Sequence, residues 1–265
     1  ISSIRWFHVL KELGYVNNFF TTFKVVMLSY TANIFAPAKS GDFIKVICHK
    51  EISNKGKLFS GVLFDRINDL LSLSFLCFFF SIFVKNVNGL LIGLFIPLSI
   101  FFLKLLVNFL ITKKKLIKLL SLIRFSISLV LRKNKNTFLV LFFSILNWFI
   151  ASVQIYFFYL AYGENISLII ILSLFPFVVL IALLPITPSG IGLREISFIY
   201  IFSAHADLHT SLMVSLSYYL FNLCITGLFG SIFLNSFIKK KEISKMMRIF
   251  KKKINLKKIF KKLLV

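Results

Sequence analysis

Apolar residues run almost unbroken through seven stretches of this chain, at about 18–35, 66–84, 88–110, 137–161, 166–184, 191–205 and 211–237. The runs are continuous rather than alternating, so they predict helices and argue against an outer-membrane barrel. Most are long enough to cross a hydrocarbon layer of about 30 Å. The stretch at 191–205 would make a helix of only roughly 22 Å, the length of a half-crossing. Polar positions gather at two breaks, PAKSGDFIK at 37–45 and PITPSGIGLRE at 185–195. Each break has Pro and Ser-Gly, with a basic residue five positions after the serine: Lys45 after Ser40, and Arg194 after Ser189. In lipid, irregular backbone is tolerated only where protein covers it or it lines a cavity. The breaks are therefore the candidate working parts.

Composition adds the class and then a topology. The chain has 265 residues, 58% of them hydrophobic, and 34 Phe, with a mean hydropathy of +0.89. These values fit an all-α, polytopic transmembrane bundle of about seven membrane segments. Residues 1–237 form the membrane domain and 238–265 a basic tail. A net charge of +23 could indicate nucleic acid, but 19 of those charges lie in two places, residues 112–136 and the tail. Both flank spans, as the positive-inside rule requires, so both are expected in the cytoplasm of a prokaryotic cell (inner) membrane. In the first stretch Lys114, Lys118, Ser121, Arg124, Ser128, Arg132 and Lys135 share one helical face. Leu116, Ile117, Leu120, Ile123, Ile127 and Val130 share the other, the pattern of an interfacial helix. Counting spans backward from residue 112 puts residues 1–16 outside, which conflicts with Arg5 and Lys11. Either 18–35 is re-entrant or the number of spans is off by one. The opening ISSIRWFHVLKELG reads as the connector after a span, so one or two spans are expected upstream of Ile1.

The second break ends one helix at Pro185 and Pro188 and starts another near Leu193. Gly190 and Gly192 permit tight turns, and backbone N–H groups from about Gly190 to Leu193 would lie beside Arg194. A helix start plus one guanidinium suits a phosphate. The plain alternative pairs Arg194 with Glu195, Asp42 or another acid to close the bundle, and spacing alone weighs the two equally. The first break repeats the grammar with Pro37, Ser40, Gly41, Asp42 and Lys45. Two broken elements in corresponding halves fit an inverted repeat, although the match of SGDFIK to SGIGLR is short. In this reading Asp42 and Lys45 face Arg194 and Glu195 across a central cavity. Asp65 and Asp69 share a helical face with Arg66 on its flank, an ion network supporting the site. Asn33, Asn147, Gln154 and Asn222 are isolated polar residues in spans, of the kind that bond between helices.

Together these motifs resemble the transmembrane region of lysylphosphatidylglycerol synthases, a flippase-like integral membrane family. Asn33, Pro37, Gly41, Asp42 and Lys45 are similar to its asparagine, proline and glycine-acid-basic element. Asp65, Arg66 and Asp69 resemble its acid-Arg-Asp element. PITPSGIGLRE resembles its proline, glycine-rich and Arg-Glu signature, the most specific of the three. The chain departs from the family in carrying Lys45 where Arg is usual, and Ser40 and Ser189 where Gly is frequent. The resemblance covers nearly the whole chain and implies lipid handling, with translocation of a phosphate-bearing lipid or glycolipid between leaflets as the leading idea.

No Ser-His-Asp, Cys-His or metal pattern accompanies the breaks. Cys48, Cys77 and Cys224 are too scattered for a disulfide framework or zinc site, and His205 and His209 read as surface residues. No cofactor, metal or catalytic residue is expected. Three classes of function follow. One is a flippase-like carrier of an anionic phospholipid or polyprenyl-linked lipid, with Ser40, Gly41, Asp42, Lys45, Ser189, Gly190, Gly192, Arg194 and Glu195 at the headgroup. The second is a membrane subunit of a lipid-modifying enzyme, such as an aminoacyl-phosphatidylglycerol synthase or lipid-linked glycosyltransferase, with a soluble transferase partner. The third is a structural scaffold. Nucleic acid is not an expected partner.

Overall fold

A computed structural model describes residues 1–15, 18–35, 40–49, 52–110, 117–184, 187 and 190–237. Pro37, Pro185, Pro188, Ser189, the lysines at 113–115 and the tail at 238–265 lie outside the described residues. The described chain is helical: α1 (Ser2–Glu12), α2 (Phe19–Phe35), a 3₁₀ turn (Ser40–Phe43), α3 (Ile44–Cys48), α4 (Lys55–Val84), α5 (Val87–Leu110), α6 (Ile117–Val130), α7 (Lys135–Ala161), α8 (Leu168–Ala182), α9 (Leu193–Phe202) and α10 (Leu208–Phe237).

Four of these, α4, α5, α7 and α10, are long and apolar enough to cross a membrane. The other three predicted spans are shorter. Helix α2 has 17 residues, α8 has 15 and α9 has 10, or about 26, 22 and 15 Å at 1.5 Å per residue. Their apolar character is as the pattern predicts, but the chain turns back in both places. The 3₁₀ turn and α3 pack on α2, so tightly that a Cβ on Gly41 would lie 2.5 Å from the Asn33 backbone nitrogen. In the second half, Phe175 of α8 meets Phe198 of α9. A Cβ on Gly190 would lie 3.0 Å from the Ala182 carbonyl oxygen. Each broken element is thus a helical hairpin.

The hairpins enter from opposite ends of the bundle. One end, the basic end, carries the α1–α2 turn, the start of α4, the α6–α7 corner and the C-terminal end of α10. Phe20 and Phe23 near the start of α2 pack on Phe233 of α10. Farther along, the Thr31 hydroxyl donates to the Thr226 carbonyl. Helix α2 therefore runs inward from the basic end. Helix α8 starts at the other end, where the Ser173 and Ser81 hydroxyls are 2.7 Å apart near the α4–α5 turn. Helix α9 returns there, its Phe202 against Tyr159.

Small residues bring the long helices together, as expected where lipid supplies no hydrophobic drive between them. Gly93 of α5 leaves only 2.8 Å between its virtual Cβ and the Phe78 Cα of α4, and Ser74 donates to the Gly93 carbonyl at 2.6 Å. Apart from this seam α5 lies at the edge, with Leu91, Phe95, Leu98 and Phe102 exposed, as suits a lipid-facing helix. Helix α6 turns Ile127 and Leu129 inward and leaves Ser121, Arg124 and Ser128 exposed. Its Ser126 donates to the Ser60 carbonyl of α4. Helix α1 lies antiparallel to α7, with Ser2 bonded to Asn147 and Glu12 to Arg132 and Asn134.

Candidate functional site

Sequence spacing puts Asp65 and Asp69 on one face of α4, and that face meets Arg5. The Arg5 guanidinium pairs with Asp65 at 2.7 Å and with Asp69, and also donates to the Ser144 hydroxyl. Lys45 completes a second layer, its Nζ 3.2 Å from Asp65 and 3.4 Å from Asp42, over the Trp6 ring at 4.8 Å. Arg66 binds Asp42 at 2.8 Å, Asp69 at 2.9 Å and Asp65 at 3.3 Å. Asn33 donates to Asp42, and the Trp148 indole N–H donates to Asp69. Three cations thus face three carboxylates, a balance that offsets the several kcal/mol each buried charge costs by desolvation.

Exposure separates the members. Five of the six side chains are at most 4% exposed, whereas Arg66 is 25% exposed. It opens onto a cavity of about 410 Å³. The wall includes Asn33 beside the first hairpin's turn, Arg66 and Asp69 of α4, and Gly190 and Arg194 of the second hairpin. Ser2 and Arg5 of α1, Tyr30 of α2, Asn147, Trp148 and Gln154 of α7, and Tyr218, Tyr219, Asn222 and Thr226 of α10 add further polar groups. These positions on α4, α7 and α10 lie near the middles of their helices. The cavity therefore sits midway through the bundle, where both hairpins reach.

Arg194 stacks on the Tyr219 ring at 4.9 Å, a contact that holds the guanidinium plane. Glu195 faces away from this role. Its carboxylate accepts from the Gly192 N–H at 2.5 Å and caps α9. The Gly190 N–H goes to the Thr187 carbonyl. The N–H groups expected to await a phosphate at Gly190 and Gly192 are thus engaged within the turn. Both glycines have positive φ, +76° and +85°, a region costly for residues with a Cβ.

Several candidate residues are placed differently from the pattern-based expectation. Lys45 and Asp42 do not line the cavity; of the network's cations, Arg5 and Arg66 share it with Arg194, and Arg66 is the more exposed of the two. Ser40 and Gly41 shape the hairpin, and Gly192 and Glu195 shape the start of α9. Ser189 lies outside the described residues. Asn147 bonds between helices as expected, accepting from the Ser2 hydroxyl of α1, and also reaches the cavity wall. Gln154, whose amide nitrogen has no hydrogen-bond partner among the described residues, and Asn222, which donates to the Tyr218 carbonyl of its own helix, reach that wall too. Arg5, Tyr30, Trp148, Tyr218 and Tyr219 were not singled out as site residues. A lone arginine in IRWFHVL was the available signal for Arg5, yet it served only as a topology marker. His205 and His209 are exposed, and no cluster of metal-binding side chains occurs among the described residues.

Long apolar helices, paired hairpins and a buried balanced ion network beside an internal cavity define a polytopic helical membrane protein. The lysylphosphatidylglycerol synthase TM region family model matches residues 1–230. The chain belongs to that family. No curated protein and no solved structure matches it.

Proposed function

We propose that this protein binds the headgroup of a phosphate-bearing lipid or glycolipid and passes it between leaflets, as a flippase-like carrier rather than an enzyme. The observation that carries this reading is the mid-bundle cavity, where Arg5, Arg66 and Arg194 line one chamber of mixed polar and apolar wall. A chamber of this volume suits a small headgroup, not acyl chains, which would remain in lipid. Arg194, its guanidinium over the Tyr219 ring, supplies the cation that meets the phosphate. Arg66 meets the same group from the other wall while its carboxylate partners hold it in place. The partners in this reading are membrane lipids, anionic or polyprenyl-linked.

The fold also supports an orientation. If the first hairpin is re-entrant, α4 and α5 are the only crossings between the α1–α2 turn and the α6–α7 corner. Lys11 and the corner with Arg132, Lys133 and Lys135 then fall on one side, which the positive-inside rule assigns to the cytoplasm of a prokaryotic cell membrane, while Arg5 lies inside the bundle on Asp65 and Asp69 and marks neither side. The parity conflict disappears. Asn18 starts a hairpin entering from the cytoplasm, and α8 starts one entering from outside.

Proteoliposomes carrying headgroup-labelled lipids test the activity. The expected result is protein-dependent passage of at least one anionic or isoprenoid phospholipid. Folded, correctly inserted protein that moves none of them would overturn the reading.

A further inference from the structure

A second cavity, of about 500 Å³, reaches from the α6–α7 corner at the basic end to Asn68 and Leu71 near the middle of α4 and shares no lining residue with the central one. Arg132, Lys133 and Lys135 form one part of its wall. Leu71, Phe138 and Leu141 form another, with the buried Asn68 beside them. No acidic residue lines it. Arg132 is engaged by Glu12 at 3.2 Å, which leaves Lys133 and Lys135 as the principal charges toward a ligand.

Depth decides what such a cavity suits. Lys135 precedes Trp148 of the central cavity by 13 residues on α7, about 20 Å along the helix. Half a hydrocarbon layer is about 15 Å, so Lys135 stands at headgroup level when Trp148 stands at the midplane. Phe138 and Leu141 follow one and two turns deeper, at acyl-chain level. Cations above an apolar wall that includes the exposed Phe138 match one amphiphile.

We propose that this cavity is a lateral binding site for an intact anionic phospholipid, distinct from the translocation chamber. Its phosphate lies against Lys133 and Lys135, with Arg132 at the edge, and one acyl chain lies along Leu71, Phe138 and Leu141. The occupant ties α4 to the α6–α7 corner and so stabilises the fold whether or not the central cavity is filled. A soluble phosphate would leave the apolar wall uncovered, which is why the lipid is the assigned ligand.

The test is a melting titration of the purified full chain in neutral detergent with short-chain phosphatidylglycerol. Short-chain phosphatidylcholine and glycerol phosphate serve as comparison ligands. A saturable rise in melting temperature with phosphatidylglycerol alone is expected. Lys133→Gln with Lys135→Gln should weaken the apparent affinity about 30-fold, from the typical contribution of two basic residues near a lipid surface. Lys11→Gln with Arg124→Gln removes the same charge from exposed positions outside both cavities and should leave the affinity within about twofold. Arg194→Gln should leave the shift in place. Equal losses in the two double variants would show diffuse attraction and overturn the site. So would an equal rise with glycerol phosphate or phosphatidylcholine, no saturable rise with any ligand, or loss of the rise in Arg194→Gln. Melting without lipid confirms that each variant is folded.

Discussion

Arg5 is the keystone of the ion network because it alone joins α1 to both Asp65 and Asp69. Removing it leaves two carboxylates with less compensation in a site almost closed to water, and breaking a buried pair from one side typically costs about 3–5 kcal/mol. Arg5→Met should therefore lower the melting temperature markedly, and Asp69→Asn in the same chain should restore part of the loss. Thermal unfolding of the single and double variants reads this; equal, additive losses would show that the two side chains act independently. His49, in the connection between α3 and α4, gives a pH prediction. Trp6 donates its indole N–H to His49 Nε2 at 3.1 Å, and an indole only donates, so this imidazole is neutral. Burial first, then Lys55 and Lys45, push its pKa down to about 4 from 6.5. Between those values the unfolded chain binds more protons than the folded one. The contribution is therefore complete above about pH 6.5 and declines as pH falls toward 4. A melting series from pH 7 to 4 should fall more steeply for the wild type than for His49→Gln; parallel curves would contradict the assignment.

The hairpins depend on contacts too close for a side chain. At Gly41 even one methyl group meets the backbone of Ala32 and Asn33, so neither side can yield by rotating a side chain. Gly41→Val should push the 3₁₀ turn off α2, carry Asp42 away from Arg66, and make a cysteine placed at Asn33 more accessible to a thiol reagent. Unchanged labelling with unchanged stability would sink this account of the turn. These elements were partly legible. Proline and glycine marked both breaks, and the apolar runs around them read as helices. The return of the chain was not legible, because a 17-residue, mostly apolar segment looks the same whether it crosses or turns back. Its outcome rests on contacts between Gly41 and Asn33, or Gly190 and Ala182, that no single segment displays. For the same reason the charged motifs were visible while their partners were not. Asp65 and Asp69 announce a face, but only the packing of α1 shows that Arg5 fills it and that Arg66, not Lys45, opens to the cavity.

At the largest scale, the described residues form four long helices and two hairpins that enter from opposite ends. The proposed orientation then fixes every connection. Cysteines introduced at Asn18, Asn54 and Asn134 should react with a membrane-impermeant thiol reagent from one side, and those at Asn86, Gly163 and Asp207 from the other. Opposite sides for Asn18 and Asn54 would mean that the first hairpin is a full crossing, and the orientation would fail with it. The most direct test of the central claim is the rate at which a labelled anionic headgroup crosses proteoliposomes made with wild type and with Arg194→Gln. Both are to be checked for equal insertion and melting. Loss of a charge-assisted contact worth about 1.5–3 kcal/mol predicts a slowing of about 10- to 100-fold in the variant. Equal rates for the two proteins would contradict the claim that this cavity carries the headgroup.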